Sequence, residues 1–177
     1  MILPRSEMPN LELELINGTN WKLSDQNPEN FTLLTFYRGL HCPVCKKQLK
    51  DLTSKIEDFT KRGVNLIAIS MDSEKRANKA SDEWELTSLP LAYNLPAEKA
   101  KELGLHISEA VSDKEPDFFS EPAMFLVRPD GTLYFSSIQT MPFARPQYED
   151  VLNAIDFVLK EDYPARGELK GIPKAVS

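Results

Sequence analysis

Phe31-Thr-Leu-Leu-Thr-Phe-Tyr-Arg-Gly-Leu-His-Cys-Pro-Val-Cys45 decides the fold. Its first seven residues are aromatic, β-branched or aliphatic, as a strand buried within a sheet requires. Arg38-Gly39-Leu40-His41 interrupts that run. From Pro43 onward Leu49, Leu52, Ile56 and Phe59 recur at helical spacing, with Lys46, Lys47, Lys50, Asp51 and Lys55 between them. Proline suits the first helical position because no N–H is needed there. A strand therefore runs into a helix, and both cysteines sit on the junction.

Working outward, Lys61, Arg62 and Gly63 stop this helix, since cations favour its negative end and glycine takes the left-handed exit cheaply. Val64–Ser70 reads as a second buried strand, parallel to the first because a helix separates the two. A charged helix is expected at about Ser73–Leu86 and a shorter one at Ala97–Leu103. Ser108–Glu121 is polar and aperiodic and reads as a long loop. Ala123–Arg128 and Thr132–Ser137 form an antiparallel hairpin around Arg128-Pro-Asp-Gly131. Tyr148, Val151, Leu152, Ile155, Val158 and Leu159 make the apolar face of a final helix. Upstream, Leu11–Ile16 alternates apolar with acidic residues, and Asn17-Gly18 turns it toward Trp21 and Leu23. The sum is an α/β fold with a mixed central sheet flanked by helices and an N-terminal β-hairpin extension. One domain is expected over residues 1–163, with 164–177 a surface tail that lies on the domain or frays.

Composition sets limits on function. The chain has 177 residues, with 21 Lys+Arg against 27 Asp+Glu and a formal net charge of −6. An acidic surface does not displace phosphate counterions, which argues against nucleic acid as a partner, and it disfavours anionic membranes. The apolar runs Ala123–Val127 and Leu66–Ile69 are far shorter than a membrane span needs. The start lacks a basic segment followed by an apolar one, so the expected location is cytoplasmic. Only two Cys and two His occur, which excludes a disulfide scaffold.

The two cysteines carry the chemistry. With Cys42 at the helix N-cap, its sulfur meets the free N–H groups and the positive end of the helix dipole, and both favour a thiolate. Cys45 lies one turn along, close enough to resolve a mixed disulfide on Cys42. A purely structural disulfide would close so short a loop that it contributes only about 2 kcal/mol. A closed zinc site is awkward, because the only other nitrogen ligands are His41, adjacent to Cys42, and His106. Neither a metal nor a cofactor is expected. His41 either tunes the thiolate or simply caps the site. Asp72, at a strand end, reads as the cap of the following helix. His106 reads as a surface residue and Trp84 as core.

At these residues the chain resembles the thioredoxin superfamily, and within it the alkyl hydroperoxide reductase / thiol-specific antioxidant group of peroxiredoxin-like proteins. The likeness spans about Leu11 to Leu159. It rests on LELELINGTNWKLSD (Leu11–Asp25), the FYRG stretch leading into the cysteine pair, and EPAMFLVRPDG (Glu121–Gly131). It implies a thioredoxin-like fold. Two departures stand out. The Pro-x-x-x-Thr-x-x-Cys pattern of peroxiredoxins, laid on without gaps, puts its Pro on Arg38, its Thr on Cys42 and its peroxide-attacking Cys on Cys45. The Arg that enters the later strand in that family falls on Pro122. Thioredoxins have cysteine at both motif positions and a cis-proline before that strand, a role Pro122 fits.

The leading expectation is a thiol–disulfide oxidoreductase cycling Cys42 and Cys45, with Cys42 the exposed nucleophile and Cys45 the resolving thiol. Pro43, Pro122, Arg38 and His41 support the site. The alternative is a thiol peroxidase using the same pair on hydrogen peroxide or organic hydroperoxides, in which Cys45 (or Cys42) attacks and its neighbour resolves the sulfenic acid, with Arg38, Arg145 or His41 replacing the missing Thr and Arg. A third is a non-enzymatic, redox-responsive binding module that uses the Ser108–Glu121 segment or Tyr134, Phe135 and Phe143, although packing is the preferred role for these aromatics. The partners implied are a thiol/disulfide protein or a peroxide, together with an unidentified reductant. A homodimer is left open.

Overall fold

The computed structural model describes residues 2–171. In chain order the elements are β1 (Glu12–Glu14), β2 (Asn20–Lys22), β3 (Phe31–Phe36), α1 (Pro43–Ser54), α2 (Ile56–Lys61), β4 (Val64–Ile69), α3 (Glu74–Trp84), β5 (Leu91–Ala92), α4 (Ala97–Glu102), β6 (Ile107–Glu109), β7 (Phe118–Ser120), β8 (Ala123–Val127), β9 (Leu133–Ile138) and α5 (Tyr148–Glu161). The central sheet has the order β5-β4-β3-β8-β9. β3 pairs parallel with β4 and antiparallel with β8, and β8 pairs antiparallel with β9. The expected mixed sheet is therefore present.

Strand β3 is buried along its whole length, which explains its unbroken apolar run. Because side chains alternate across a strand, its residues divide between two cores. Phe31 and Leu33 pack with α1 and α5 through Leu49, Leu52, Tyr148, Leu152 and Ile155. Leu34 and Phe36 pack on the other face with Ile67, Ile69, Ala100, Leu103 and the N-terminal hairpin. Both cysteines belong to the first core. Trp84 is buried there too, as expected.

The structure departs from the sequence reading in several places. The helix expected from Pro43 to Lys61 breaks at Lys55 into α1 and α2. Near the break the Thr53 and Ser54 hydroxyls donate to the carbonyls of Leu49 and Asp51, competing with the helical ladder. The Ser108–Glu121 loop is in fact a hairpin, with β6 antiparallel to β7 and Ser108 opposite Phe119. Three-residue strands leave too little alternation to be read. β5 was missed for the same reason; it carries the N-terminal hairpin through Ile16 N–H to Leu91 O (3.0 Å) and a Leu15–Ala92 bridge. The expected tail is described only to residue 171. There Ala165 is buried, with its carbonyl accepting from Arg5 Nε at 3.0 Å; the remainder lies outside the described residues.

Among the described residues no helix is long and apolar enough to cross a membrane.

Candidate active site

The site forms where β3 ends. Phe36 pairs with Ala123, so the residues leaving β3 run beside those entering β8. Cys42 is the N-cap of α1, Pro43 takes the first helical position, and the Cys45 N–H donates to Cys42 Sγ at 3.1 Å. The two cysteines are joined as a disulfide with Cα atoms 5.2 Å apart. The expected exposure of Cys42 is not observed: Cys42 is 1% and Cys45 0% exposed. Both sulfurs lie under the segment between β9 and α5, which brings Arg145 down onto them.

Arg145, one of the three candidates to replace the missing Thr and Arg, meets the sulfurs directly. Its Nη2 lies 3.2 Å from Cys45 Sγ and 3.7 Å from Cys42 Sγ. Nη1 donates to Gln48 Oε1 at 2.5 Å and Nε to the Pro142 carbonyl at 2.6 Å, which fixes the guanidinium plane. Burial pushes its pKa down to about 10, with Arg38 acting in the same direction and Tyr148 and Glu121 against it. It therefore remains a cation at neutral pH. Of the three replacements considered for the missing Thr and Arg, this one reaches the sulfurs.

Arg145 and Gln48 also border two spaces. One is an open groove of about 330 Å³ along α1, lined by Val44, Lys47, Phe143 and Tyr148 among others. The other is a cavity of about 10 Å³ bounded by Pro122, Met124 and Gln139, with room for roughly one water. Pro122 thus shares a cavity wall with Arg145, but not in the expected form. No cis peptide bond occurs among the described residues, so the bond preceding Pro122 is trans. Flanking bonds suit the ordinary form: Glu121 N–H donates to His106 O at 2.8 Å and Gln139 N–H to Pro122 O at 2.9 Å, carrying the chain straight into β8.

Arg38 and His41, expected beside the thiols, face elsewhere. The Arg38 guanidinium lies 3.3 Å from the Glu121 carboxylate and 3.5 Å from that of Glu115, with its carbon 4.5 Å above the Phe119 ring. Ser108 Oγ donates to Glu121 Oε1 at 2.7 Å. His41 Nδ1 is 3.5 Å from Arg76 Nη2, Nε2 is 3.9 Å from Glu115, and the ring lies 4.6 Å from that of Phe119. Burial lowers the His41 pKa, and Arg38 adds to the effect. The β6–β7 hairpin thus sits on the segment preceding Cys42, where a free loop had been expected.

Asp72 does not cap α3 as expected; Ser73 is the N-cap and makes no side-chain bond. Instead Asp72 Oδ2 accepts from the Leu40 N–H at 2.7 Å and Oδ1 from Arg76 Nε at 2.6 Å. Gly39 is required opposite it: its φ is +128°, and a Cβ there would fall 2.6 Å from Asp72 Oδ2. Tyr134 packs against Phe31 and donates to Tyr163 O, and Phe135 packs against the core, whereas Phe143 is 62% exposed. His106 is exposed. Among the described residues no cluster of three or more His, Cys, Asp or Glu is placed to hold a metal ion.

Comparison with known proteins supports the resemblance. The AhpC/TSA family model matches residues 4–136. A 1-Cys peroxiredoxin of Arabidopsis thaliana is 26% identical over 156 residues, covering 86% of this chain and 69% of its own. Peroxiredoxin-6 of Gallus gallus is 24% identical over 174 residues, covering 88% and 72%. Among solved structures, a mutant of peroxiredoxin 6 of Arenicola marina superposes with a TM-score of 0.78 at 24% identity, covering 92% of this chain and 76% of that one. The AhpC of Enterococcus faecalis gives 0.73 at 18% identity, covering 94% and 99%. At these identities the structural likeness shows the fold, which is thioredoxin-like.

Proposed function

The chain belongs to the AhpC/TSA family and is a thiol-dependent oxidoreductase, and from that premise we propose that it is a thiol peroxidase whose Cys42–Cys45 pair alternates between dithiol and disulfide. The observation that carries this reading is the Arg145 guanidinium set against both buried sulfurs. A cation held there favours the thiolate and takes up charge on the oxygen that leaves it. Burial of both sulfurs favours a small oxidant, whereas a partner protein's disulfide needs a sulfur at the surface.

The family pattern laid on without gaps would make Cys45 the attacker, and Arg145 is nearer to it; we assign the attack to Cys42 instead, because as N-cap its sulfur accepts the Cys45 N–H and meets the positive end of α1. Its thiolate attacks the peroxide oxygen and the O–O bond breaks. The departing alkoxide or hydroxide takes a proton, leaving Cys42 as a sulfenic acid. The Cys45 thiol then attacks that sulfur, the S–O bond breaks with loss of water, and the disulfide closes. An external thiol reductant supplies the two electrons that reopen it.

The second reading is disulfide exchange with a protein, favoured by cysteine at both the N-cap and the position one turn along, with Pro43 between. The trans bond before Pro122 removes one of the two thioredoxin-type features set beside this reading. Turnover of the reduced enzyme on hydrogen peroxide and on a protein disulfide, with dithiothreitol as reductant, separates the two. Turnover on the disulfide alone overturns the peroxidase reading.

A further inference from the structure

The buried Asp72 carboxylate belongs to no step above, yet it ties the end of β4 to the loop that presents Cys42. Its own backbone is fixed: it follows β4, its N–H donates to Ser70 Oγ at 3.3 Å, and its carbonyl accepts from Asn94 N–H at 2.8 Å. The side chain is fully enclosed. An enclosed carboxylate is costly unless each oxygen is partnered, and here Arg76 takes one and the Leu40 N–H the other. From Leu40 the path to the sulfur is short. The Cys42 N–H donates to Gly39 O at 3.0 Å, Lys46 N–H to Cys42 O at 3.1 Å, and Cys45 N–H to Cys42 Sγ. The missing Cβ of Gly39 is what lets the carboxylate come this close.

We infer that Asp72 is a positioning residue, which holds the Cys42 sulfur at the N-terminus of α1 by anchoring the Gly39–Leu40 backbone to the end of β4. The inference rests on the thiol chemistry proposed for Cys42. The groups facing the sulfur are the α1 N–H and Arg145, and neither bonds to Asp72. On the loop side the other carboxylates, Glu115 and Glu121, lie against Arg38, and His41 stands between Glu115 and Arg76. Asp72 therefore acts on Cys42 through backbone geometry.

The test is the pH dependence of Cys42 alkylation by iodoacetamide in a Cys45→Ser background, a readout that needs no peroxide. Asp72→Leu keeps the shape of the side chain and removes both acceptors. It is expected to move the alkylation midpoint upward and to slow the reaction about fivefold at neutral pH, the size of a lost N-cap bond. Asp72→Asn keeps an acceptor for Leu40 and is expected to restore the wild-type midpoint. Circular dichroism establishes that each variant folds. Should Asp72→Leu not fold, Gly39→Ala, which presses on the same carboxylate, takes its place with the same expected shift. An unmoved midpoint in a folded variant, or Asp72→Asn as slow as Asp72→Leu, overturns the inference. Failure of the peroxidase reading shows separately, as wild-type protein that peroxide does not convert to the disulfide.

Discussion

Arg145 Nη2 lies 3.2 Å from Cys45 Sγ, across 100 residues of sequence, and the same nitrogen reaches Cys42 Sγ. The contact turns two core cysteines into a polarised pair. Arg145→Ala is expected to slow reaction with hydrogen peroxide by roughly 10²-fold, the scale of losing one donor to a developing oxyanion. Arg145→Lys should fall between, since it keeps the charge and loses the planar fork. Stopped-flow rates of the reduced proteins check both.

Gly39 and the Asp72 carboxylate meet where no side chain fits between them. Gly39→Ala is expected to cost about 2–4 kcal/mol, combining a positive φ of 128° with the 2.6 Å approach to Asp72. Urea unfolding measures it, and a change within error of zero would mean that the loop relaxes freely.

His41 is held below its usual value of 6.5, by burial first and by Arg38 second, against the pull of Asp72 and Glu115. Between that lowered value and 6.5 the unfolded chain binds a proton that the folded chain refuses, so stability falls as pH drops through this window. Urea midpoints of wild type and His41→Gln across the window are expected to show a smaller acid loss in the variant.

Glu115 closes the tip of the β6–β7 hairpin by accepting the Val111 N–H at 2.8 Å, and its other oxygen reaches Arg38. Glu115→Ala is expected to speed proteolytic cleavage between residues 110 and 117 while changing global stability by no more than about 1 kcal/mol. Limited proteolysis beside urea unfolding separates the local effect from the global one.

Much of this was readable in advance. The run Phe31–Tyr37 could only be a doubly buried strand, and Cys42-Pro43 could only open a helix, so the sheet centre and the placement of the cysteine pair followed from local chemistry. β5 and the β6–β7 hairpin escaped because strands of two or three residues hold no measurable alternation; pairing and packing make them. The burial of Cys42 was hidden too, because a segment a hundred residues away covers it. Arg38 and His41 stand near the cysteines in sequence, but the β6–β7 hairpin and α3 supply their partners, Glu121, Glu115 and Arg76. Asp72, at a strand end, reads in sequence as a helix cap; only the third dimension brings Leu40 to it.

The most direct test is a single turnover. Reduced wild-type protein, Cys42→Ser and Cys45→Ser are each mixed with hydrogen peroxide, and sulfenic acid and intramolecular disulfide are followed with time. Wild type is predicted to form the Cys42–Cys45 disulfide faster than free cysteine reacts, Cys45→Ser to stop at a sulfenic acid on Cys42, and Cys42→Ser to lose the fast reaction. A wild-type rate no greater than that of free cysteine would contradict the account.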